Sequence, residues 1–451
     1  MRTRLSLIVL VLLAVAGYGS AGYGTGTKAA AASGKPVDWP TYHLNTYRNA
    51  SYPSMPAFTK LAVTKKLALD GQVYASPIVI NGTVIVATEN NTVYAFDSSY
   101  RQLWKRHLGT PARLSQLPCG NIDPLGITGT PVYSPSTRQV YVAAEFGGTS
   151  PTHRLYALSF ASGRVRFSRT LDLPGVDRRA MQERGALTIV GSRVYVPFGG
   201  LAGDCGQYKG RVIAYPITGT GSKVYSYTVP TSREAGIWTP PGPTADSAKH
   251  ILVAVGNGAS GSTGRYDHSD SVLELSRTLR LTDSFSPTTW RPDNDADKDL
   301  GSQGPAIVGN YVFQAGKSGT AYVLRRDRLG GIGGQVSQAT VCRSFGGTAR
   351  RLDVVYVPCA DGVRAVRVDA RGRMHILWHA ADSVAGSPTY GGGRLFSIDA
   401  VNGVLHALSL TTGRTTQSVD VGVTSRFATV AEYGRLIYVP TQAGLTVVRT
   451  S

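Results

Sequence analysis

Residues 83–97 read TVIVATENNTVYAFD. Two apolar runs flank a polar Glu-Asn-Asn turn, the pattern of a β-hairpin with buried strands. The second run has seven counterparts: RLYALS (154–159), RVIAYP (211–216), SVLELS (271–276), TAYVLR (320–325), VRAVRV (363–368), VLHALS (404–409) and LTVVRT (445–450). The first has partners such as QVYVAAEFGG, RVYVPFGG, HILVAVGNG, VVYVPCADG and LIYVPTQAG, each closing in a Gly-containing turn. A third short strand, as in SPIVI, GTPVYS, QGPAIV and GSPTYG, often precedes the pair. A fourth, as in QLWKRHL and RVRFSRTL, follows several copies.

Four strands per unit at a period of ~40–45 residues describe the blade of a β-propeller. Eight third strands predict eight blades. The last copy stops at its third strand, whereas LAVTKKLAL (61–69) is a strand with no blade of its own. Joining the two completes the eighth blade and removes the open edges that invite aggregation. The expected fold is all-β: an eight-bladed propeller of four-stranded antiparallel blades over 37–451, closed by 61–69. From the apolar leader onward, no ~11-residue window carries an i, i+3, i+4, i+7 apolar stripe free of Gly and Pro.

Third strands start 62, 57, 60, 49, 43, 41 and 41 residues apart. The last three spacings approach a minimal blade, and the first three carry insertions. Insertions enter loops, and loops carry function, so the first half is the decorated sector.

MRTR followed by LSLIVLVLLAVA is a basic start and an apolar run too short for an ordinary membrane span. Small residues at Ala14/Ala16 and Gly19/Ala21 fit a cleavage site. Residues 1–21 are read as a signal peptide, with an uncleaved anchor as the alternative, and 22–36 as a low-complexity tether. No Cys near the cleavage region offers a lipid anchor. The mature protein is expected to be secreted or held at the cell envelope.

Four cysteines in an exported chain favour disulfides. Three pairings are open. Cys342 and Cys359 bracket a turn and a strand of one repeat, which favours their pairing and leaves Cys119 with Cys205. No C-x-x-C or nearby His pair suggests zinc. The net charge of +19 comes mostly from scattered Arg. It gives a basic surface suited to an anionic wall polymer or to peripheral contact with lipid. Nucleic acid is excluded as a partner, because no basic-aromatic platform is present.

The phrases GITGTPVY (126–133), VYVPFGGLAGDCGQYKGRVIAY (194–215) and IWTPPGPTADSAKHILVAVGNG (237–258) resemble the PQQ-like propellers. That group includes quinoprotein alcohol dehydrogenases, polyvinyl-alcohol dehydrogenase-like enzymes and repeat proteins without a known cofactor. The resemblance covers about residues 70–451. In the enzymes, pyrroloquinoline quinone (PQQ) lies between a Trp and a disulfide of adjacent Cys. A Glu and an Asn bind Ca²⁺, and an Asp is the base. The resemblance assigns Trp238 to the cofactor floor and Asn257 to the metal. Asp204 stands near the Glu position, one residue out of register. Asp267 and Asp270 are near the base position, also out of register. The adjacent Cys pair is absent, and Cys119 occupies the corresponding loop.

Two readings follow. The incomplete set implies a binding or scaffold module at the cell envelope, monomeric, with no cofactor and a protein or wall-polymer partner. The alternative is a PQQ- and Ca²⁺-dependent alcohol or sugar dehydrogenase with a divergent site. In RPDNDADKDLG (291–301), Asp293, Asp295, Asp297 and Asp299 alternate in a loop that suits Ca²⁺. It lacks the Gly and Glu of an EF-hand, and it also leaves a glycan-binding or glycan-degrading role open. No Gly-x-Ser-x-Gly or phosphate loop is present.

Overall fold

A computed structural model describes residues 35–451, apart from 222, 247, 249, 260–264, 382 and 383. The leader 1–21 and most of the tether 22–36 lie outside the described residues. Eight sheets are present, and each holds a four-stranded antiparallel blade. In blade 1 the strands are Ile78–Ile80, Thr83–Thr88, Thr92–Phe96 and Gln102–His107, running from the axis outward. The opening stretch forms the two middle strands, joined from Val84↔Phe96 to Thr88↔Thr92.

Burial explains the composition of each strand. Every residue of Thr92–Phe96 is buried, whereas Gln102–His107 buries only Trp104. A middle strand has a neighbouring blade on both faces, so both side-chain sets are apolar. An outer strand meets solvent and turns polar. Val93, Ala95 and Trp104 of blade 1 share one core cluster with Val140, Val142 and Leu158 of blade 2. The core is a ring of such seams.

Outer aromatic side chains tie the seams together. Trp104 lies over Gly163 of the next blade and donates its indole N–H to the Phe160 carbonyl at 2.9 Å. Trp378 repeats this over Gly413, donating to the Leu410 carbonyl at 2.8 Å. Both glycines have positive φ, 63° and 70°. A Cβ at either would collide with the indole.

The ring closes through its termini. Leu61–Ala68 pairs antiparallel with Gly444–Thr450, from Leu61↔Thr450 to Ala68↔Gly444. Before that strand, the chain runs once around the inner edge of the ring. Trp39 bridges Val79 of blade 1, and the Pro40 carbonyl accepts from Tyr133 N–H of blade 2. Arg48 donates to the Leu187 carbonyl and to Thr188 of blade 3. The Thr46 carbonyl accepts from Ala245 of blade 4, and Tyr47 packs on the cluster holding Ile307 of blade 5. The Asn49 carbonyl serves Arg350 of blade 6, Ser51–Tyr52 pairs with blade 7, and the Tyr52 hydroxyl accepts from Gly434 of blade 8. This segment touches all eight blades. Tyr42, His43 and Arg48 are buried within it. Burial pulls His43 down to about 3 and Arg48 down to about 9.

Two disulfides are present. Cys342–Cys359 closes a 17-residue separation at blade 6, and Cys119–Cys205 joins insertions 86 residues apart. The stretch read as an acidic loop is different: Trp290–Asp295 is a short α-helix. Its carboxylates therefore radiate from a helical turn instead of alternating along an extended strand.

Trp378→Ala removes a buried indole and its hydrogen bond at a seam. It is expected to lower unfolding stability by roughly 3 kcal/mol, read from the urea midpoint. Val at position 413 should destabilise to a similar degree, because it displaces the same ring.

Candidate functional site

A cavity of about 580 Å³ opens on the axis of the ring. Its walls come from the loops that enter blades 1 to 6 and blade 8 and from turns between second and third strands. A crevice of about 10 Å³ lies beyond Arg184 and Phe427 and ends against Tyr42. The inner-edge segment therefore closes the floor.

Trp238 is half-buried in this cavity. Gly199, Gly236 and Gly256 make room for it. A Cβ there would sit 2.6 Å from its Cβ, 3.1 Å from Cδ1 and 3.1 Å from Nε1, respectively. Phe427 packs on the indole in a T-shaped arrangement with ring centroids 6.1 Å apart, and the part of the indole that lines the cavity offers aromatic surface to a flat ligand.

Asn257 follows the strand Ile251–Val255. Its backbone N–H donates to Asp299 Oδ1 at 2.6 Å, and its Nδ2 donates to Asp297 Oδ1 at 2.8 Å. Its Oδ1 is buried and has no hydrogen-bond partner. Lys317 Nζ sits 2.6 Å from both Asp297 Oδ1 and Asp299 Oδ2. Asp299 is nearly buried and Asp297 exposed. Burial raises the Asp299 carboxyl above its usual range, and Lys317 pulls against that rise. Burial disfavours the Lys317 ammonium, but the two carboxylates outweigh it and raise its pKa.

The same cavity holds two other cations. Arg184 stacks on Phe427 at 4.3 Å, and Arg426 stacks on Phe345 at 3.7 Å. Among the described residues neither guanidinium makes an ion pair with a carboxylate. Burial pulls Arg184 down to about 10, and the like charge of Arg426 adds to the fall. Two guanidiniums without an ion pair, lining one cavity, make a receptor for carboxylates or phosphates.

The expected residues separate. Trp238, Asn257, Asp204 and Asp297 line the cavity. Asp267 does not. It accepts from Ser269 N–H and Oγ in its own turn, at 3.1 and 2.7 Å. Asp270 lies fully buried behind Asp299, accepting from Leu300 N–H at 2.9 Å, and burial with the Asp299 charge keeps it far above the usual carboxylate range. Neither has the access a base needs. Asp293 is buried against Thr289 Oγ1 at 2.6 Å, and Asp295 lies on the exposed side of the helix. Neither lines the cavity. Sequence reading had Asp299 only as one of the alternating loop aspartates, and it missed Lys317, Arg184 and Arg426. The Lys317-Ser-Gly turn ends the second strand of blade 5, as Asn257-Gly does in blade 4, and that equivalence was the available signal for Lys317.

Calcium takes about six to eight oxygens. The Asn257 Oδ1 is one free candidate. Asp204 is engaged by the Tyr208 hydroxyl, and Asp297 and Asp299 are engaged by Lys317. Among the described residues, no group of three or more His, Cys, Asp or Glu is arranged to hold a metal ion. Of the residues assigned to a metal, Asn257, Asp204 and Asp297 line the cavity and Asp293 and Asp295 do not; with their side chains engaged in this way, the set does not fit a resident Ca²⁺. A flat polyanion fits better, with an indole face, two guanidiniums and sufficient volume.

The family model described as outer membrane protein assembly factor BamB matches residues 60–239. No curated protein sequence matches the chain. Among solved structures, the quinohemoprotein alcohol dehydrogenase of Comamonas testosteroni aligns at TM-score 0.71 and 15% identity, covering 92% of this chain and 80% of that one. The enzyme ADHIIG of Pseudomonas putida HK5 gives 0.72 at 15% identity over the same shares. BamB of Moraxella catarrhalis gives 0.61 at 17% identity, covering 87% of this chain and all of that one. At these identities the likeness is one of fold. The chain has the fold of the PQQ-like β-propellers.

Lys317→Met leaves two carboxylates without their cation, one of them buried. It is expected to cost about 3 kcal/mol of unfolding stability. Adding Asp299→Leu should recover much of that loss in the same urea titration.

Proposed function

We propose that this propeller binds PQQ in its axial cavity and oxidises an alcohol there, outside the cytoplasm. The carrying observation is the convergence of Trp238, Asn257, Asp299 and Lys317 with Arg184 and Arg426 around one cavity. PQQ is a flat, polycarboxylated ring system. Trp238 offers it a stacking face, and the two guanidiniums offer partners for its carboxylates. When bound, the quinone supplies the hydride acceptor.

The chain's own residues do the rest. Asp299 takes the hydroxyl proton of the alcohol. Its oxygens are held by Asn257 N–H and by Lys317, and the lysine favours the ionised form that a base requires. The closed floor limits water to one entrance. The Cys119–Cys205 disulfide and the apolar leader support an oxidising compartment. The match to the BamB model favours a second reading, a cofactor-free scaffold for a protein partner.

Calorimetry with PQQ separates the two. Binding is expected without a requirement for Ca²⁺, weakened at least about tenfold in Trp238→Ala. Dye-linked alcohol oxidation should fall about a hundredfold or more in Asp299→Asn. The wild-type rate should decline as pH falls and Asp299 gains its proton. Absence of PQQ binding would leave the scaffold reading.

A further inference from the structure

A second group of ionisable side chains lies outside the residues used above, buried where blades 1, 2 and 3 meet. Glu89 sits in the turn of the opening hairpin. Glu145 and His153 face each other on paired strands of blade 2. Asp172 follows the outer strand of blade 2, and Glu183 immediately precedes Arg184. The three glutamates and His153 are buried, and the Asp172 side chain is 13% exposed.

The hydrogen bonds do not satisfy these acids. Glu89 Oε2 accepts from Gly126 N–H at 2.8 Å and from Thr128 Oγ1 at 3.2 Å. His153 lies 3.3 Å from Glu145 Oε2 and 2.8 Å from Asp172 Oδ1. Glu89 Oε1, Glu145 Oε1 and both oxygens of Glu183 are buried with no hydrogen-bond partner. Four carboxyls around one imidazole cannot all remain charged out of water. The cluster must hold protons.

The cluster also meets the cavity. Thr128, which donates to Glu89 at 3.2 Å, lines the crevice beneath the cavity together with Arg184 and Tyr74, and both of these also line the cavity itself. Burial raises Glu89 to about 7, Glu145 adds to the rise, and Arg184 opposes it. Glu183 feels Glu89, Glu145 and His153, and Glu145 feels His153 and Asp172. Glu89 thus changes charge near neutrality, under the field of a guanidinium that faces the ligand space.

We propose that this cluster couples protons to the cavity: an anion that engages Arg184 drives a proton onto Glu89. The proposal rests on the anion-binding reading of the cavity. An anion at Arg184 cancels the field that held Glu89 ionised, so a proton is taken up with the ligand. By linkage, affinity then falls as pH rises through neutrality, by up to about tenfold per pH unit.

The test has two arms. In the ligand-free protein, infrared titration follows the carbonyl band of neutral carboxylic acids. A band titrating near neutrality is expected in wild type, absent in Glu89→Gln and shifted to higher pH in Arg184→Gln. An unshifted midpoint in Arg184→Gln, or an unchanged band in Glu89→Gln, overturns the proposal whatever PQQ does. In the second arm, PQQ binding is measured calorimetrically in buffers of different ionisation enthalpy. Proton uptake in wild type, lost in a Glu89→Gln variant that still binds, supports the proposal. Binding with equal uptake in both overturns it and leaves the cofactor reading standing. Failure of PQQ to bind, with the infrared shift intact, removes the cofactor reading and leaves the Arg184–Glu89 coupling.

Discussion

Eight blades arranged around an axis leave a hole, and the rest of this structure is organised by how that hole is filled. Backbone groups on the innermost strands have no further strand to pair with. At one end the inner-edge segment supplies their partners blade by blade, from Trp39 at blade 1 to Tyr52 at blade 8. Its side chains, Tyr42, His43 and Arg48, occupy the axis itself. The other end stays open as the cavity. The opening exists as a blind pocket, and not as a channel, because the segment is there. A blind, low-dielectric pocket is what gives unpaired guanidiniums their pull.

The strands were legible because propeller burial has a short period. A middle strand packed between two blades needs apolar residues on both faces, and runs such as TVYAF and ILVAV announce it without long-range information. Ring closure was legible for a related reason: an unmatched strand at each end leaves one solution. The inner-edge segment was not legible. It forms single bridges to eight different partners, so it has no period, and its buried Arg and His look like surface residues in the sequence. The acidic stretch misled in the other direction. Its alternating carboxylates suggested an extended loop, but Trp290–Asp295 closes into a helical turn that buries Asp293.

The site was half legible for a geometric reason. Trp238 and Asn257 lie at the ends of regular strands, where repeat counting is reliable. The carboxylate beside them comes from the next blade's entry loop, after a helix of no fixed length. Counting from SVLELS led to Asp267 and Asp270, which share the neighbourhood but face inward. Asp299 reaches the cavity because Gly256 leaves no Cβ against its Oδ1, and Gly301 packs against Val255 and Gly256. Sequence distance says little about which of several aspartates a loop will turn toward an axis.

The cavity's charges are arranged unevenly. Lys317 spends its charge on Asp297 and Asp299, so that cluster is nearly self-neutralised and sets a carboxylate in place. Arg184 and Arg426 make no ion pair among the described residues and lie over aromatic faces, an interaction worth about 0.5–2 kcal/mol. Arg426 is exposed and Arg184 only partly buried, so water screens what the aromatic faces do not. Glu89 acts on Arg184, yet its own burial and Glu145 push it toward the neutral form. The protein alone therefore does not balance this part of the cavity. An external anion would balance it, and its arrival changes what Glu89 can afford to hold. Ligand charge and proton content are then two sides of one electrostatic requirement imposed by closing the axis at one end.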